Sequence, residues 1–253
     1  MRRGVVFACS HMDWIPETIR SARSFARHMP DIERHFFVPS TLFDQCRQNL
    51  GDAFTKVVQL EHVEHAHRPR FESMRRVELD QMIFIDGDTL LLMPVYELFD
   101  VIEQFDLGAA IAPQLFHPDS AASGIYDALP KVSMAIPEWN TGLLVVKRSE
   151  RFREMVEAWN AYFNVCIRMG IKMDQPAFRS AVAASGMRIA TLANIYNIRA
   201  NVEQVLRGYV RILHAHGDLP AIAKTINSSP ALRHYLPDMS LIDGFRPPKI
   251  SQS

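Results

Sequence analysis

One stretch constrains this chain more than any other: Met82-Ile83-Phe84-Ile85-Asp86-Gly87-Asp88-Thr89-Leu90-Leu91-Leu92. Four apolar residues run straight into two acids separated by one glycine. A short continuous apolar run bounded by turn signals predicts a strand buried on both faces, which other elements must cover from both sides. Acids at the end of such a strand need water, a donor or a cation, because burying a lone carboxylate is costly. Gly87 permits a sharp turn, so both carboxylates can point to one side. Two carboxylates on one point suit a hard divalent cation, Mg²⁺ or Mn²⁺, that keeps open positions for phosphate oxygens. The other reading is an acidic surface turn.

The flanking segments alternate between strand and helix patterns. Strands are predicted over 4–9, 35–38, 56–60 and 82–85. Between them lie helices over 16–28, with Asp13 as a candidate cap, and over 41–49, capped by Ser40 or Thr41 and stopped by Gly51. Residues 70–80 read as a helix leading into the central strand. A short helix over 96–99 and strands over 107–112 and 143–146 follow. Residues 114–138 read as a long loop, which we expect to be functional or mobile and to close over a ligand. Ser149 caps a helix whose stripe of Phe152, Met155, Val156, Trp159 and Phe163 is core. Asp174 opens another helix, ended by Gly186, before strands over 188–192 and 210–213. The expected architecture is α/β: one domain over 1–227 with a mostly parallel, Rossmann-like sheet covered by helices on both faces. An irregular tail is expected over 228–253.

The chain carries 28 Lys plus Arg and 28 Asp plus Glu, so its net charge gives no reason to expect a nucleic-acid partner. Cys9, Cys46 and Cys166 are too scattered for a disulfide or zinc pattern, which suits a reducing cytosol. No apolar run approaches the ~18 residues of a membrane span. No cleavage site follows Met1-Arg2-Arg3, so the expected location is cytoplasmic.

Three polar groups sit at strand ends: Asp86 with Asp88, Asn140-Thr141, and His214. In open α/β sheets ligands bind at the carboxyl ends of strands, so these groups converge if their strands share a sheet. An imidazole beside two carboxylates moves the cation preference from Mg²⁺ toward Mn²⁺. His216 competes with His214 as the ligand. His62, His65 and His67 are close enough in sequence for a metal but read more simply as a polar loop.

The segment Phe84-Ile85-Asp86-Gly87-Asp88-Thr89-Leu90-Leu91 resembles the DxD motif of nucleotide-sugar glycosyltransferases with the GT-A fold, in the glycogenin-like and bacterial lipopolysaccharide galactosyltransferase families. Four other segments agree in order. Val6-Phe7-Ala8-Cys9-Ser10 resembles the first strand, whose loop (here Ala8, Cys9 and Ser10) meets the nucleobase. Asn140-Thr141-Gly142-Leu143-Leu144 resembles a segment near the sugar. Asp174-Gln175-Pro176-Ala177-Phe178 resembles an aspartate-glutamine helix start. His214-Ala215-His216-Gly217 resembles a histidine-x-x-glycine motif whose first histidine joins the metal. The resemblance implies a Mn²⁺ (or Mg²⁺) site of Asp86, Asp88 and His214. It implies donor contacts from Ala8, Cys9, Ser10, Arg70, Asp86, Gly87, Asp88, Thr141, Gly142 and Gly217. Asn140, Asp174 and Gln175 would position sugar and acceptor. The reaction implied is hexosyl transfer from a nucleoside diphosphate sugar, a UDP-sugar by preference, with retention of configuration. The acceptor, a saccharide, a lipid-linked sugar or a protein, is left open, as is the nucleophile. Asp174 is a candidate nucleophile and equally a helix cap.

Two departures stand against the resemblance. The lysine expected shortly after Gly217 is missing, since Asp218-Leu219-Pro220 follows, with Lys224 as a possible substitute. The aromatic expected near the base has only Trp14 as a candidate. Two rival functions follow. A sugar-1-phosphate nucleotidyltransferase shares the layout, but residues 8–14 hold no glycine for a phosphate loop. A carbohydrate- or nucleotide-sugar-binding protein that has lost turnover would tolerate the missing lysine.

Overall fold

The structure is a computed structural model and describes residues 1–61 and 68–243. Four parallel strands make its first half: β1 (Arg3–Ala8), β2 (Glu33–Pro39), β3 (Lys56–Leu60) and β4 (Gln81–Ile85). The helices α1 (Ile15–His28), α2 (Ser40–Leu50) and α3 (Arg68–Arg76) connect them. There follow β5 (Thr89–Leu91), α4 (Leu98–Gln104), β6 (Leu107–Ile111), α5 (Pro118–Ala122), α6 (Ile125–Ala128) and β7 (Trp139–Lys147). The second half holds α7 (Glu150–Arg168), α8 (Gln175–Ser185), β8 (Ile189–Leu192), β9 (Ile198–Arg199) and β10 (Gln204–Leu206). It ends on β11 (Ile212–His214), α9 (Leu219–Ile226) and β12 (Arg233–Tyr235).

The main sheet has the order β3-β2-β1-β4-β7-β6-β8 and is parallel except at β7, which runs against both neighbours. The apolar run of β4 behaves as its pattern demands. Met82 and Phe84 join the core cluster under α3, α7 and α8, while Ile83 and Ile85 join the one under α1 and α4. All four side chains are shut off from solvent, and each such burial contributes about 1.5–3 kcal/mol. This two-sided core is what fixes the end of β4, and with it the acidic turn.

Several local readings need correction. Asp13 does not cap α1: it lies in a 3-10 turn, and Trp14 holds the cap position without a side-chain bond. Pro39 stands at the start of α2, and the Ser40 hydroxyl donates instead to the Leu60 carbonyl. Ser149 does cap α7, accepting from the Phe152 amide at 3.1 Å. The stretch 114–138 is not structureless. It holds α5 and α6 and is clamped by Arg179 of α8, which donates to the carbonyls of Val132, Ser133 and Ile136. Within 228–243, β12 pairs antiparallel with β10, and Gly217 bridges to Ile242. The three closely spaced histidines, His62, His65 and His67, lie outside the described residues, as does the chain from 244 onward. Among the described residues no helix is long and apolar enough to cross a membrane.

The strands that carry the candidate residues do not share one sheet. β11 belongs to a separate three-stranded sheet, β5-β11-β9. Convergence comes from β5, which leaves the acidic turn and pairs antiparallel with β11, setting Thr89 opposite His214. Asn140 arrives by a different route: because β7 is antiparallel to β4, its first residues lie beside the carboxyl end of β4.

Candidate functional site

The acidic turn is held from two sides. The Asp86 amide donates to the Gly142 carbonyl at 3.0 Å, and the Thr89 hydroxyl donates to the Asp86 carbonyl at 2.8 Å. Gly87 lies against α1 so closely that a Cβ there would stand 2.1 Å from the Thr18 hydroxyl oxygen. Gly142 fills the same need on the other side: a Cβ would meet His214 Cε1 at 2.1 Å and Asp86 Oδ2 at 2.9 Å. Thus both glycines serve close packing around the two acids.

One ligand atom from each of Asp86, Asp88 and His214 falls within 4.8 Å of the others. His214 Nε2 is 3.2 Å from Asp88 Oδ1 and 3.7 Å from Asp86 Oδ2. The ring's protonation follows from its partners. Nδ1 faces Asn197 Oδ1 at 2.9 Å, and Nε2 faces Arg199 Nη1 at 2.8 Å. An amide oxygen only accepts and a guanidinium only donates, so Nδ1 carries the proton and Nε2 presents a lone pair. That lone pair and two carboxylate oxygens converge without a proton of their own between them. This donor set, two hard oxygens and one imidazole nitrogen, fits a divalent cation, and Asn197 is the kind of outer partner that fixes a ligand histidine's tautomer. The Asn197 amide nitrogen is buried without a hydrogen-bond partner, so its oxygen is committed to His214 at some cost.

Arg70 enters from α3 between two carboxylates. It donates to Asp86 Oδ1 and, at 2.6 Å, to Asp174 Oδ2, while its guanidinium lies 5.3 Å over Phe84 and 5.9 Å over Trp159. Burial would lower the Arg70 pKa, but Asp174 and Asp86 outweigh it and raise it further. Asp174 precedes α8 but makes no side-chain cap: its second oxygen accepts from the Thr141 hydroxyl at 2.8 Å. Asn140 is buried, its side-chain oxygen accepting from the Gly142 amide at 2.9 Å, so it shapes the turn that packs on His214. Gln175 is half-buried at the start of α8.

Behind the cluster, Glu17 of α1 ties down the segment after β11. It accepts from the Gly217 amide and bonds His216 Nδ1 at 2.7 Å. His216 Nε2 stands 3.7 Å from Asp88 Oδ2, outside the group formed by Asp86, Asp88 and His214. The bond to Glu17 raises the His216 pKa against the opposing effect of burial, with Asp88 adding to the rise. Burial opposes ionisation of Asp88, yet the groups around it, His216 and Arg199 among them, hold its carboxyl well below the usual range. Trp14 stacks near His216, ring centres 6.4 Å apart. Ala8, Cys9 and Ser10 lie at the carboxyl end of β1, next to β4. The Cys9 thiol is buried and its pKa is pushed up to about 11, which leaves it unreactive. Lys224 is exposed in the last turn of α9.

The structure therefore brings together Asp86, Asp88, His214, Arg70, Asp174, Asn140, Thr141 and Gly142. Glu17, Asn197 and Arg199 are additions that no sequence pattern singles out. β9 is only two residues long, and Glu17 reads as an ordinary first-turn acid of α1.

No protein-family model and no curated protein sequence matches this chain. Solved structures do. Mouse xyloside xylosyltransferase 1 superposes with a TM-score of 0.59 at 12% identity over 85% of this chain and 98% of its own. The galactosyltransferase LgtC, solved with donor and acceptor sugar analogues, gives 0.59 at 13% identity over 90% and 97%. The glycosyltransferase GlyE of Streptococcus pneumoniae TIGR4 gives 0.56 at 16% identity, with 79% of this chain covering 48% of that one. At these identities the likeness establishes the fold, that of GT-A glycosyltransferases.

Proposed function

We propose that this chain, with a GT-A fold and a carboxylate-carboxylate-imidazole cluster at the end of β4, is a metal-dependent glycosyltransferase. It would move a hexose from a nucleoside diphosphate sugar, a UDP-sugar, to an acceptor whose class we leave open, with retention of configuration. The observation that carries this reading is the meeting of Asp86, Asp88 and the His214 Nε2 lone pair within 4.8 Å. Mn²⁺, or Mg²⁺ in its place, is the cation we assign to these three ligands. It supplies neutralisation of the charge that develops on a leaving diphosphate.

The chain's own residues do the rest. Asn197 holds His214 in the tautomer that presents Nε2. Arg70 spans Asp86 and Asp174, which couples the cation ligands to the sugar-facing side of the site. Both Asp174 oxygens are engaged, by Arg70 and Thr141, so we assign Asp174 to positioning, together with Gln175 and Asn140. Ala8, Cys9 and Ser10 would border the base, and Gly217 the diphosphate. A reducing, cytoplasmic setting suits the three unpaired, buried cysteines.

The test is thermal stabilisation of the wild type and Asp88→Ala by a panel of nucleoside diphosphates, with and without Mn²⁺. One nucleotide should stabilise the wild type only with Mn²⁺, and the variant not at all. Stabilisation by every nucleotide without metal would overturn the reading. A second reading, a nucleotide-sugar-binding protein without turnover, draws on the exposed position of Lys224 and the acid that follows Gly217. Slow Mn²⁺-dependent hydrolysis of a UDP-sugar without acceptor distinguishes the two, since a binding protein releases no sugar.

A further inference from the structure

His214 Nε2 is the nitrogen that faces both Asp88 and Asp86, and it is also the atom on which Arg199 Nη1 rests at 2.8 Å. A nitrogen of this tautomer has one lone pair. A cation held by all three ligands and the guanidinium of Arg199 therefore compete for the same electrons. We propose that Arg199 is an exchangeable occupant of the site: it covers the His214 lone pair in the metal-free protein and turns to the donor diphosphate when the metal loads. This rests on the function proposed above and adds to it a residue and a coupling that the metal cluster alone does not contain.

The backbone around Arg199 is fixed, so the exchange is a side-chain event. Arg199 and His214 are register partners in the parallel pair β9–β11. The Arg199 carbonyl accepts from the Gln204 side chain at 2.8 Å and from the Val202 amide at 3.1 Å. The residue itself is only partly buried. Its long, flexible side chain and partial exposure leave it free to swing while β9 stays in place. Arg70 differs: it is committed on both sides to carboxylates that remain when a metal arrives.

Charge favours the same sequence of events. Asp86, Asp88 and Asp174 face two guanidiniums, Arg70 and Arg199, so these groups sum to one negative charge. A divalent ion turns that to one positive charge, with a displaced guanidinium beside it. Such a site attracts a dianionic diphosphate, and a guanidinium can meet two of its oxygens at once. Arg199 would thus weaken metal binding before the donor is present and strengthen donor binding afterwards.

The experiment is a pair of calorimetric titrations on the full chain, wild type and Arg199→Met: Mn²⁺ alone, then UDP at saturating Mn²⁺. The variant should bind Mn²⁺ at least threefold more tightly and UDP at least tenfold more weakly, opposite shifts that a general loss of structure does not give. Arg199→Gln, which can still donate to Nε2, covers a methionine variant that fails to fold, and should move both constants in the same directions by less. If wild type binds UDP with Mn²⁺ but neither constant shifts, or both weaken together, the role of Arg199 is overturned alone. If wild type shows no Mn²⁺-dependent UDP binding, the proposed function falls, and this inference with it.

Discussion

Two arginines, Arg70 on α3 and Arg179 on α8, pack against aromatic rings and differ in what they hold. Arg70 lies over Phe84 and Trp159 and grips two carboxylates. Arg179 lies 5.4 Å over both Phe116 and Tyr126 and grips three backbone carbonyls of the stretch 130–136. Carbonyls are fixed neutral dipoles, so Arg179 can only fasten one segment to another. Carboxylates are charges that other cations can share, so Arg70 sits inside a balance that a ligand can change. α8 serves both regions, with Asp174 at its start and Arg179 little more than one turn on. The lesson is that partner chemistry, and not depth of burial, separates the candidate site from the part that holds shape.

The sharpest way to break this comparison is Asp88→Asn. Losing one charged ligand removes several kcal/mol of charge stabilisation, so sugar transfer should fall by about 10³-fold or more. The metal-free protein should lose some melting temperature, because the fold holds this carboxyl below its usual range and so favours the charge that the substitution removes, yet it should stay folded at the assay temperature. Loss of activity tracking loss of folded protein would show that the cluster is structural. Arg179→Leu is the mirror case. It removes the donor from three carbonyls of exposed or half-buried residues, which water can in part replace, so with a net worth of about 0.5–1.5 kcal/mol per hydrogen bond a destabilisation of about 2 kcal/mol is expected in urea unfolding. Mn²⁺ affinity of the folded fraction should stay within twofold; a larger fall would mean that the two regions are one unit.

Arg70→Lys sharpens the boundary further. A lysine keeps the charge but cannot span Asp86 and Asp174 with parallel donors. Transfer should fall about 10- to 100-fold, roughly 1.4–2.8 kcal/mol, mostly in kcat. An unchanged kcat with intact folding would deny Arg70 any part beyond packing.

Much of the site was legible in the sequence because its parts are local. A buried strand running into Asp86-Gly87-Asp88, a glycine after Asn140-Thr141, and a histidine ending an apolar run each announce a strand end. What could not be read was how those ends meet. The pairing of β5 with β11 joins residues more than 120 positions apart, and nothing in either short segment specifies the other. Asp174 was ambiguous because a helix-start acid is ordinarily a cap; only the positions of Arg70 and Thr141 draw its side chain away. Arg199 and Asn197 were invisible because a two-residue strand has no period. The clamp on 114–138 was missed because a loop's composition says nothing of the arginine that will bind it.

The smallest effect, and the finest test of the clamp, concerns Glu138. Its carboxyl is shut off from solvent, accepts from the Tyr126 hydroxyl and the His117 amide, and lies in the same region as Arg179. Burial raises its pKa, an effect that Tyr126, the His117 amide and Arg179 only partly offset. For an acid with a folded-state pKa above its unfolded value, the stabilising contribution is complete below the unfolded pKa. It is then lost as pH rises through the folded one. The wild type should therefore lose stability relative to Glu138→Gln as pH climbs from about 4.5, near the unfolded value, toward neutrality. Glutamine still offers the His117 amide an oxygen and gives Tyr126 a donor, so the packing is retained. Melting temperatures of the two proteins, recorded at intervals between pH 4 and 8, should diverge in favour of the glutamine variant at the upper end. Parallel curves would mean that Arg179 compensates the Glu138 charge fully, and the clamp would then resemble the ionic cluster around Arg70 that it has been set against.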